Sequence, residues 1–447
     1  MHQNKNVILL EFNELCPTLL KKFMSAGHLP NFKKLYENSD KYITDAGDDL
    51  EYLEPWVQWV TLHTGIPHQQ HGVFRLGEAD NLNFDNIWDK LSDKGKSSWL
   101  CGSMNAKWRH GDKYVTAIPD PWSLNASASS EKYKPYYDFV RANVQEHTNK
   151  SSKNSIASTL AFLKFMIFNG LTLKTLGKIC SAVWKSIFKA KDNWKKATIL
   201  DWLQFDVFSA FYKKNKPNFA TYFSNSTAHF QHKYWRYMEP EKFEKKPTQN
   251  EIDTYQDAIL FAYKNHDELI GETFKLKDEN TQIILASALS QQPFADLDAK
   301  GGKIFYRPHD INNVGQTFGL NGVKAINPVM SHQFQIIFES DSQAKDAQTK
   351  LSKATLNGHE VFKTKLEGDT LFCGCSFHQV VDTSNPIDFE GKEIDFSRVF
   401  YLADSLKSGK HHPHGVLWVS QDKPSVDSNV IPLTEAHDII LNNLINA

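Results

Sequence analysis

The side chains in this 447-residue chain that could do chemistry are three carboxylates, Glu11, Glu14 and Glu54, and the imidazoles of His63, His71, His229, His232 and the run His411-His-Pro-His. Carboxylates and imidazoles held close together can divide acid and base roles when burial drives their pKa values apart. Imidazole is also a common metal ligand. Each residue has a plainer reading beside the chemical one. His71 would cap or bond backbone in its turn, and Glu14, three residues before Pro17, would favour a helix N-terminus. Trp56 and Trp59 would pack, although a pocket holding both would suit a sugar or a base.

These residues need elements to position them. Val7-Ile-Leu-Leu reads as a buried strand, and Pro17-Thr-Leu-Leu-Lys-Lys-Phe-Met as a helix closed at Gly27. A second helix begins near Pro30 with Phe32 and Leu35 on one face, and Trp59 to His63 predicts a third, ending at Gly65. Ile87 to Leu91 leads through Gly95 to the strand Ser98 to Cys101. This alternation of strand and helix is what a mostly parallel sheet requires. Phe219 to Ser224, Gln282 to Ala286, Val399 to Ala403 and Gly415 to Val419 are expected to join the sheet, with a long helix from Ile252 to Phe274 and a closing one from Thr434 to Leu444. Two stretches break the pattern: a basic, aromatic-rich helical insertion over 151–216, and a small α+β insertion over 291–382, with a strand from Gln333, a helix from Ser342 to Lys353 and a strand from Thr370. The α/β core is then 1–150, 217–290 and 383–447.

Composition narrows the class. A net charge of -1 gives no global argument for a nucleic-acid partner. The five cysteines show no spaced CxxC pairs, so neither a disulfide framework nor a zinc knuckle is suggested, and a reducing compartment is favoured. Met1-His-Gln-Asn-Lys-Asn runs straight into the first strand without a signal-type apolar region. No window holds the roughly 18 consecutive apolar residues of a membrane span. A cytoplasmic protein is expected.

Three groups of segments carry a family resemblance. Val7-Ile-Leu-Leu-Glu-Phe-Asn-Glu-Leu is followed by Leu29-Pro-Asn-Phe-Lys-Lys-Leu. Next comes Glu54-Pro-Trp-Val-Gln-Trp-Val-Thr-Leu-His-Thr-Gly, with His71-Gly72 beyond it. Phe230-Gln-His-Lys-Tyr-Trp-Arg-Tyr, then Tyr263 with Asp267 and Ile270-Gly271, and finally Ser408-Gly-Lys-His-His-Pro-His-Gly-Val-Leu complete the order. Together they resemble the type I phosphodiesterase/nucleotide-pyrophosphatase branch of the alkaline phosphatase superfamily, over almost the whole chain. The resemblance implies an α/β fold with a central, mostly parallel sheet between helices. It also implies chemistry by two zinc-like ions held by Asp and His.

Carried over position by position, the resemblance leaves that chemistry incomplete. The metal-binding Asp of the first strand falls on Asn13, and the nucleophilic Thr or Ser falls on Pro55, which also excludes formylglycine chemistry. The Asp four residues before His232 falls on Ala228, and a later Asp-His pair falls on Ala288 and Leu289. Only His232 and His411 remain as metal ligands, so the expectation is no cofactor, or one weakly held divalent ion, zinc first. Glu11, Glu14 and Glu54 flank the lost ligand and nucleophile, and His63 and His229 lie in the same motifs. A rebuilt site would use Glu11, Glu14, Glu54 and His232 for proton transfer, with Asn13, Trp56, Gln58, Trp59, His63 and His229 against substrate.

Two functions stay open: an enzyme with a rearranged site acting on a phosphate-containing, lipid-linked or saccharide substrate, and a pseudoenzyme that binds such a ligand or a protein partner. The insertion also has two readings. Lys164, Lys174, Lys178, Lys185, Lys189 and Lys191 all precede the first acid, Asp192, and alternate with Phe, Trp and Leu. Residues 158–197 would then either lie on a membrane surface, making the protein peripheral, or cap the sheet.

Overall fold

Val7 to Leu10 are wholly buried, with no alternation of exposed and enclosed positions. A strand apolar on both faces must lie between two covering layers. The computed structural model describes residues 6–123, 126–148, 155–188, 190–329, 333–382, 384–403 and 406–445. Met1–Lys5, the first four residues of the 151–216 insertion and Lys189 therefore lie outside the described residues.

In chain order the elements that build and flank the central sheet are β1 (Asn6–Phe12), α1 (Pro17–Ser25), α2 (Pro30–Glu37), β2 (Ser39–Asp45), α3 (Pro55–Thr64), β3 (Ser98–Cys101), β4 (Val115–Ile118), α4 (Ile156–Phe168), α5 (Leu173–Phe188), α6 (Ile199–Asn215), β5 (Phe219–Ser224), α7 (Ser226–Met238), α8 (Ala258–Phe274), β6 (Thr281–Ser287), β7 (Ser290–Pro293), β8 (Gly409–His412), β9 (Val416–Ser420), β10 (Asp427–Pro432) and α9 (Leu433–Ile445). Eight strands form one sheet in the order β10-β2-β9-β6-β1-β5-β3-β4. From β6 to β4 all neighbours are parallel. Only β9 runs against its neighbours β6 and β2. The architecture is the α/β class with a mostly parallel sheet that the sequence implied. Ligands of such sheets gather where the parallel strands end.

The landmarks of the sequence have physical partners. Asp267 on α8 accepts from the Phe32 backbone N–H at 2.8 Å and from Asn31 Nδ2 at 2.9 Å, tying Leu29-Pro-Asn-Phe to the later helix. Gly271 keeps that approach open, because a Cβ there would stand 3.0 Å from Asn31 Nδ2.

Three expectations are corrected. The segment from Ile252 to Phe274 is not one helix: Gln249–Tyr255 ends before α8, because Asp257 takes φ -92° and ψ 3° and the hydrogen-bond ladder restarts from its carbonyl. The third helix begins at Pro55 and not at Trp59, with proline in the first-turn position that needs no donor. The strand Phe400–Ala403 does not return to the central sheet. It pairs antiparallel with Phe305–Pro308, and Phe400 packs on Phe362 and Phe396.

That pair belongs to a second compact unit, 138–159 with 295–407, separate from the unit that holds the central sheet. It contains a four-stranded antiparallel sheet, Phe362–Glu367, Thr370–Cys375, Phe334–Phe338 and Val323–Pro328, beside the helix Asp341–Leu351. Its own apolar core includes Phe318, Phe334, Ile336 and Leu371.

A buried polar chain crosses the first unit. Asn265 Nδ2 donates to Asp201 Oδ2 at 2.8 Å, and Asp201 Oδ1 lies 2.8 Å from Ser224 Oγ. Ser224 Oγ is 2.8 Å from His266 Nε2, whose Nδ1 is 2.8 Å from Thr227 Oγ1. Burial pushes Asp201 up to about 7 and His266 down to about 3. A raised carboxyl binds its proton more tightly when folded, so its contribution is lost as pH climbs from about 4 to about 7. The depressed His266 acts oppositely, losing its contribution as pH falls from about 6.5 towards 3. Asp201→Asn keeps an acceptor for Asn265 and an amide group that can bond the Ser224 hydroxyl, while removing the first slope. Its stability relative to the parent is expected to grow by roughly 1 kcal/mol per pH unit across that range. Urea midpoints at several pH values check this, and a pH-independent difference would refute it.

Candidate metal centre

The chain leaves β1 through Asn13 and Glu14, at the edge where β5 and β6 also end. Glu14 has φ 60°, a left-handed conformation that costs energy for a side chain with a Cβ and recurs at functional sites. Neighbours hold it there. Gln231 Nε2 donates to the Glu14 carbonyl at 2.7 Å, Leu15 N–H to Ser287 Oγ at 2.9 Å, and Cys16 N–H to Tyr263 Oη at 2.8 Å.

This backbone turns the Glu14 carboxylate towards two imidazoles and away from the N-terminus of α1. His232 Nε2 lies 3.3 Å from Glu14 Oε2, and His411 Nε2 lies 3.5 Å from Oε1. His232 comes from α7 and His411 from β8. Because β8 pairs antiparallel with β7, His411 stands opposite Gln291, and Gln291 Nε2 donates to Glu14 Oε2 and to the Ala228 carbonyl. Gly409 is part of the same construction. A Cβ there would meet Gln291 Oε1 at 2.1 Å and the Gln231 carbonyl at 2.7 Å.

Both imidazoles present Nε2 to Glu14 and have Nδ1 beside an acceptor. His232 Nδ1–H donates to the Gly409 carbonyl at 3.1 Å, which leaves Nε2 as the ring nitrogen turned to the carboxylate. His411 Nδ1 is 3.6 Å from Glu54 Oε2. Burial alone would raise the Glu14 pKa, but the charges of His411 and His232 and their hydrogen bonds outweigh it and hold the carboxyl well below its usual range. The donor atoms of Glu14, His232 and His411 all lie within 4.8 Å of one another. One ion with bonds of about 2.0–2.2 Å could reach all three after small side-chain rotations. Asn13 Nδ2 and Gln291 take one position on each carboxylate oxygen, so lone pairs remain for a cation. The donor set, one carboxylate and two imidazoles, therefore fits a divalent metal. The sequence left this site two imidazoles and no carboxylate; in the structure the carboxylate of Glu14, three residues from a helix start, stands beside them.

Of the residues singled out from the sequence, Asn13, Glu14, Glu54, His232 and His411 are brought together. Asn13 is a connector, donating to Glu14 and to Asn225 Oδ1 at 2.8 Å and accepting from Trp59 Nε1 at 2.8 Å. Trp59 is completely enclosed. Glu11 and His63 form a separate buried pair at 2.7 Å. Gln58 donates to the Tyr52 carbonyl and Trp56 Nε1 to the Phe74 carbonyl, and His229 sets its ring edge-on to Phe230. His71 takes its plainer role: Nδ1 accepts from the Val73 N–H, Nε2 bonds Thr61, and burial lowers its pKa to about 4. Gln231, Gln291, Asn225 and Gly409 were not legible as site residues. Glutamine and glycine carry no chemical signature, and only the β7–β8 register brings Gln291 beside His411.

No family model and no curated protein matches the chain. Among solved structures it is similar to phosphonoacetate hydrolase from Sinorhizobium meliloti 1021 in complex with phosphonoformate, at 10% identity and a TM-score of 0.46, covering 99% of this chain and 96% of that one. It is similar to murine ectonucleotide pyrophosphatase/phosphodiesterase 5 at 11% identity and a TM-score of 0.42, covering 98% of this chain and 95% of that one. The human form of the latter gives 8% identity, a TM-score of 0.42 and the same coverage. The likeness is one of chain path alone.

Proposed function

We propose that the chain is a hydrolase or transferase acting on a phosphate-containing substrate, lipid-linked and saccharide phosphates included, at a single divalent ion held by Glu14, His232 and His411. Zinc is the first candidate. The observation that supports this is the setting of the two imidazoles, each with Nε2 towards Glu14 and Nδ1 beside an acceptor, as in metal sites whose outer partners orient the ligands. When bound, a divalent cation would supply Lewis-acid stabilisation of charge on a phosphoryl oxygen.

The chain's own residues would do the rest. Glu54 is the N-cap of α3, so its contact with His411 brings the positive end of that helix to the cluster, where an oxyanion is favoured. Its side chain is 34% exposed against 2% for Glu14, so Glu54 is the carboxylate that can exchange a proton with an entering ligand. Pro55 offers no hydroxyl, so a covalent intermediate at that position is excluded and the acceptor would be water or a second substrate. The same missing hydroxyl favours a second reading, a site that binds its ligand without turnover.

Titration of chelator-stripped protein is expected to show one equivalent of zinc bound. Generic aryl phosphate esters should turn over near background. Across nucleotide, sugar-phosphate and lipid-phosphate substrates, turnover is expected to appear with that equivalent and to fall about 10- to 100-fold in Glu54→Gln, the range for an outer partner of a metal ligand. Two bound equivalents, or turnover indifferent to chelation, would overturn the one-metal reading. A substrate that binds and is never converted would leave the ligand-binding protein.

A further inference from the structure

The consecutive helices α4 and α5 both turn large apolar side chains to the outside. The polar side of α5 faces α6 and α8: Lys174 pairs with Glu272 at 2.9 Å, Lys178 with Glu268 at 2.9 Å, and both ammonium groups lie over the Trp202 ring at 4.5 and 4.3 Å. Its other side shows Leu173, Leu176, Trp184 and Phe188, between 43% and 88% exposed. On α4, Phe162 and Phe165 pack on Tyr136 and Tyr133, while Leu160, Leu163, Ile167 and Phe168 stand out at 46–77% exposure. At spacings of three and four residues these form one outward stripe. A helix apolar on both sides needs a second apolar phase.

Charge selects the occupant. From residue 147 to residue 191 there is no Asp or Glu, and there are eight lysines. Even with Lys174 and Lys178 paired, Lys164, Lys185 and Lys191 remain among the described residues of a segment that also exposes Leu, Phe and Trp. That combination suits anionic headgroups over acyl chains, where apolar burial and electrostatic attraction add. A second copy of the same face would set Lys164 and Lys185 against their own counterparts, and the segment itself carries no acid to offset them. No helix among the described residues is long and apolar enough to cross a membrane, so the two helices would lie on the surface. We infer that α4 and α5 dock the protein on an anionic bilayer, with the Leu160–Leu163–Ile167 stripe, Leu173 and Trp184 entering below the headgroups. The inference uses no residue of the metal centre and stands or falls apart from it.

Sedimentation of the full chain with phosphatidylcholine vesicles, with and without phosphatidylglycerol, tests it. Binding is expected on the mixed vesicles, weaker on phosphatidylcholine alone, and partly reversed by salt. Leu160→Gln/Ile167→Gln/Leu173→Gln alters only exposed positions and is expected to weaken partitioning tenfold or more, on the order of what losing three apolar contacts implies. Lys164→Gln and Lys185→Gln should each cost about fivefold on anionic vesicles and nothing on neutral ones. A blue shift of tryptophan emission on binding should diminish in Trp184→Phe. Equal sedimentation of parent and triple variant would overturn the inference. So would absence of vesicle binding together with a self-association of the parent that the triple variant loses, which would make a second copy the occupant.

Discussion

Glu14→Ala is expected to weaken zinc binding by more than about 100-fold, because outer partners of metal ligands already account for about 10- to 100-fold and Glu14 would be a direct ligand. It is also the cluster's only carboxylate, and a cation between two neutral imidazoles alone would lack both charge compensation and a third donor. His232→Ala and His411→Ala should lose affinity to a similar degree. Backbone conformation separates loss of a ligand from general damage. At φ 60° glycine is unstrained, so Glu14→Gly removes the carboxylate while relieving the turn, and should be more stable than Glu14→Ala by about 1 kcal/mol. Competition against a chromophoric chelator measures the affinity. Thermal unfolding supplies a second readout, since a ligand that binds only the native state raises the midpoint. The parent should show a zinc-dependent rise and neither Glu14 variant should. An equal rise in all three would remove Glu14 from the metal site.

Glu11→Ala is expected to destabilise the fold by about 3–5 kcal/mol, the cost of breaking a buried ion-pair or hydrogen-bonded pair by deleting one partner. Glu11 is fully enclosed on β1. Its Oε1 lies 2.7 Å from His63 Nε2, and its Oε2 accepts from Ser103 Oγ at 2.6 Å, which in turn touches Thr221 Oγ1. The truncation would strand the imidazole and the hydroxyl in a dry site, where an unpaired polar group keeps its full desolvation cost. Among the described residues His63 Nδ1 has no hydrogen-bond partner, so the imidazole depends on its bond to Glu11. Glu11→Leu/His63→Leu, which removes both polar partners, should recover much of the loss. Urea unfolding of the two variants measures both effects. If Glu11 were instead a proton-transfer group, Glu11→Ala would abolish turnover while shifting stability by less than about 1 kcal/mol, as substitutions away from buried networks do.

The amino-acid sequence was sufficient for the layers of this protein, because strand and helix periodicity is local. Val7 to Leu10 can only be a strand covered on both faces, and Pro17, Pro30 and Pro55 each stand where a helix begins. Apolar character also showed that the 151–216 stretch departs from the sheet. The direction of its faces was not local. Which lysines of α5 find acidic partners depends on Glu268 and Glu272, more than eighty residues further on. The strand Phe400–Ala403 has the apolar run of a central strand, yet its side chains find their fit against Phe362 and Phe396, and packing decides its sheet.

The site divides in the same way. Residue types at the motif positions established what is absent: Asn13, Pro55, Ala228, Ala288 and Leu289 cannot supply the ligands and the hydroxyl expected there. They also picked out His232, His411 and Glu54. Which carboxylate stands beside the two imidazoles was a tertiary matter. Glu14 and Glu11 are three residues apart and look equivalent in sequence, but the left-handed turn at Glu14 aims one carboxylate at two imidazoles while the strand carries the other into a closed pair with His63. A carboxylate's role is set by what its last two ångströms meet, and those partners come from α7, β8 and α3, which only folding brings together.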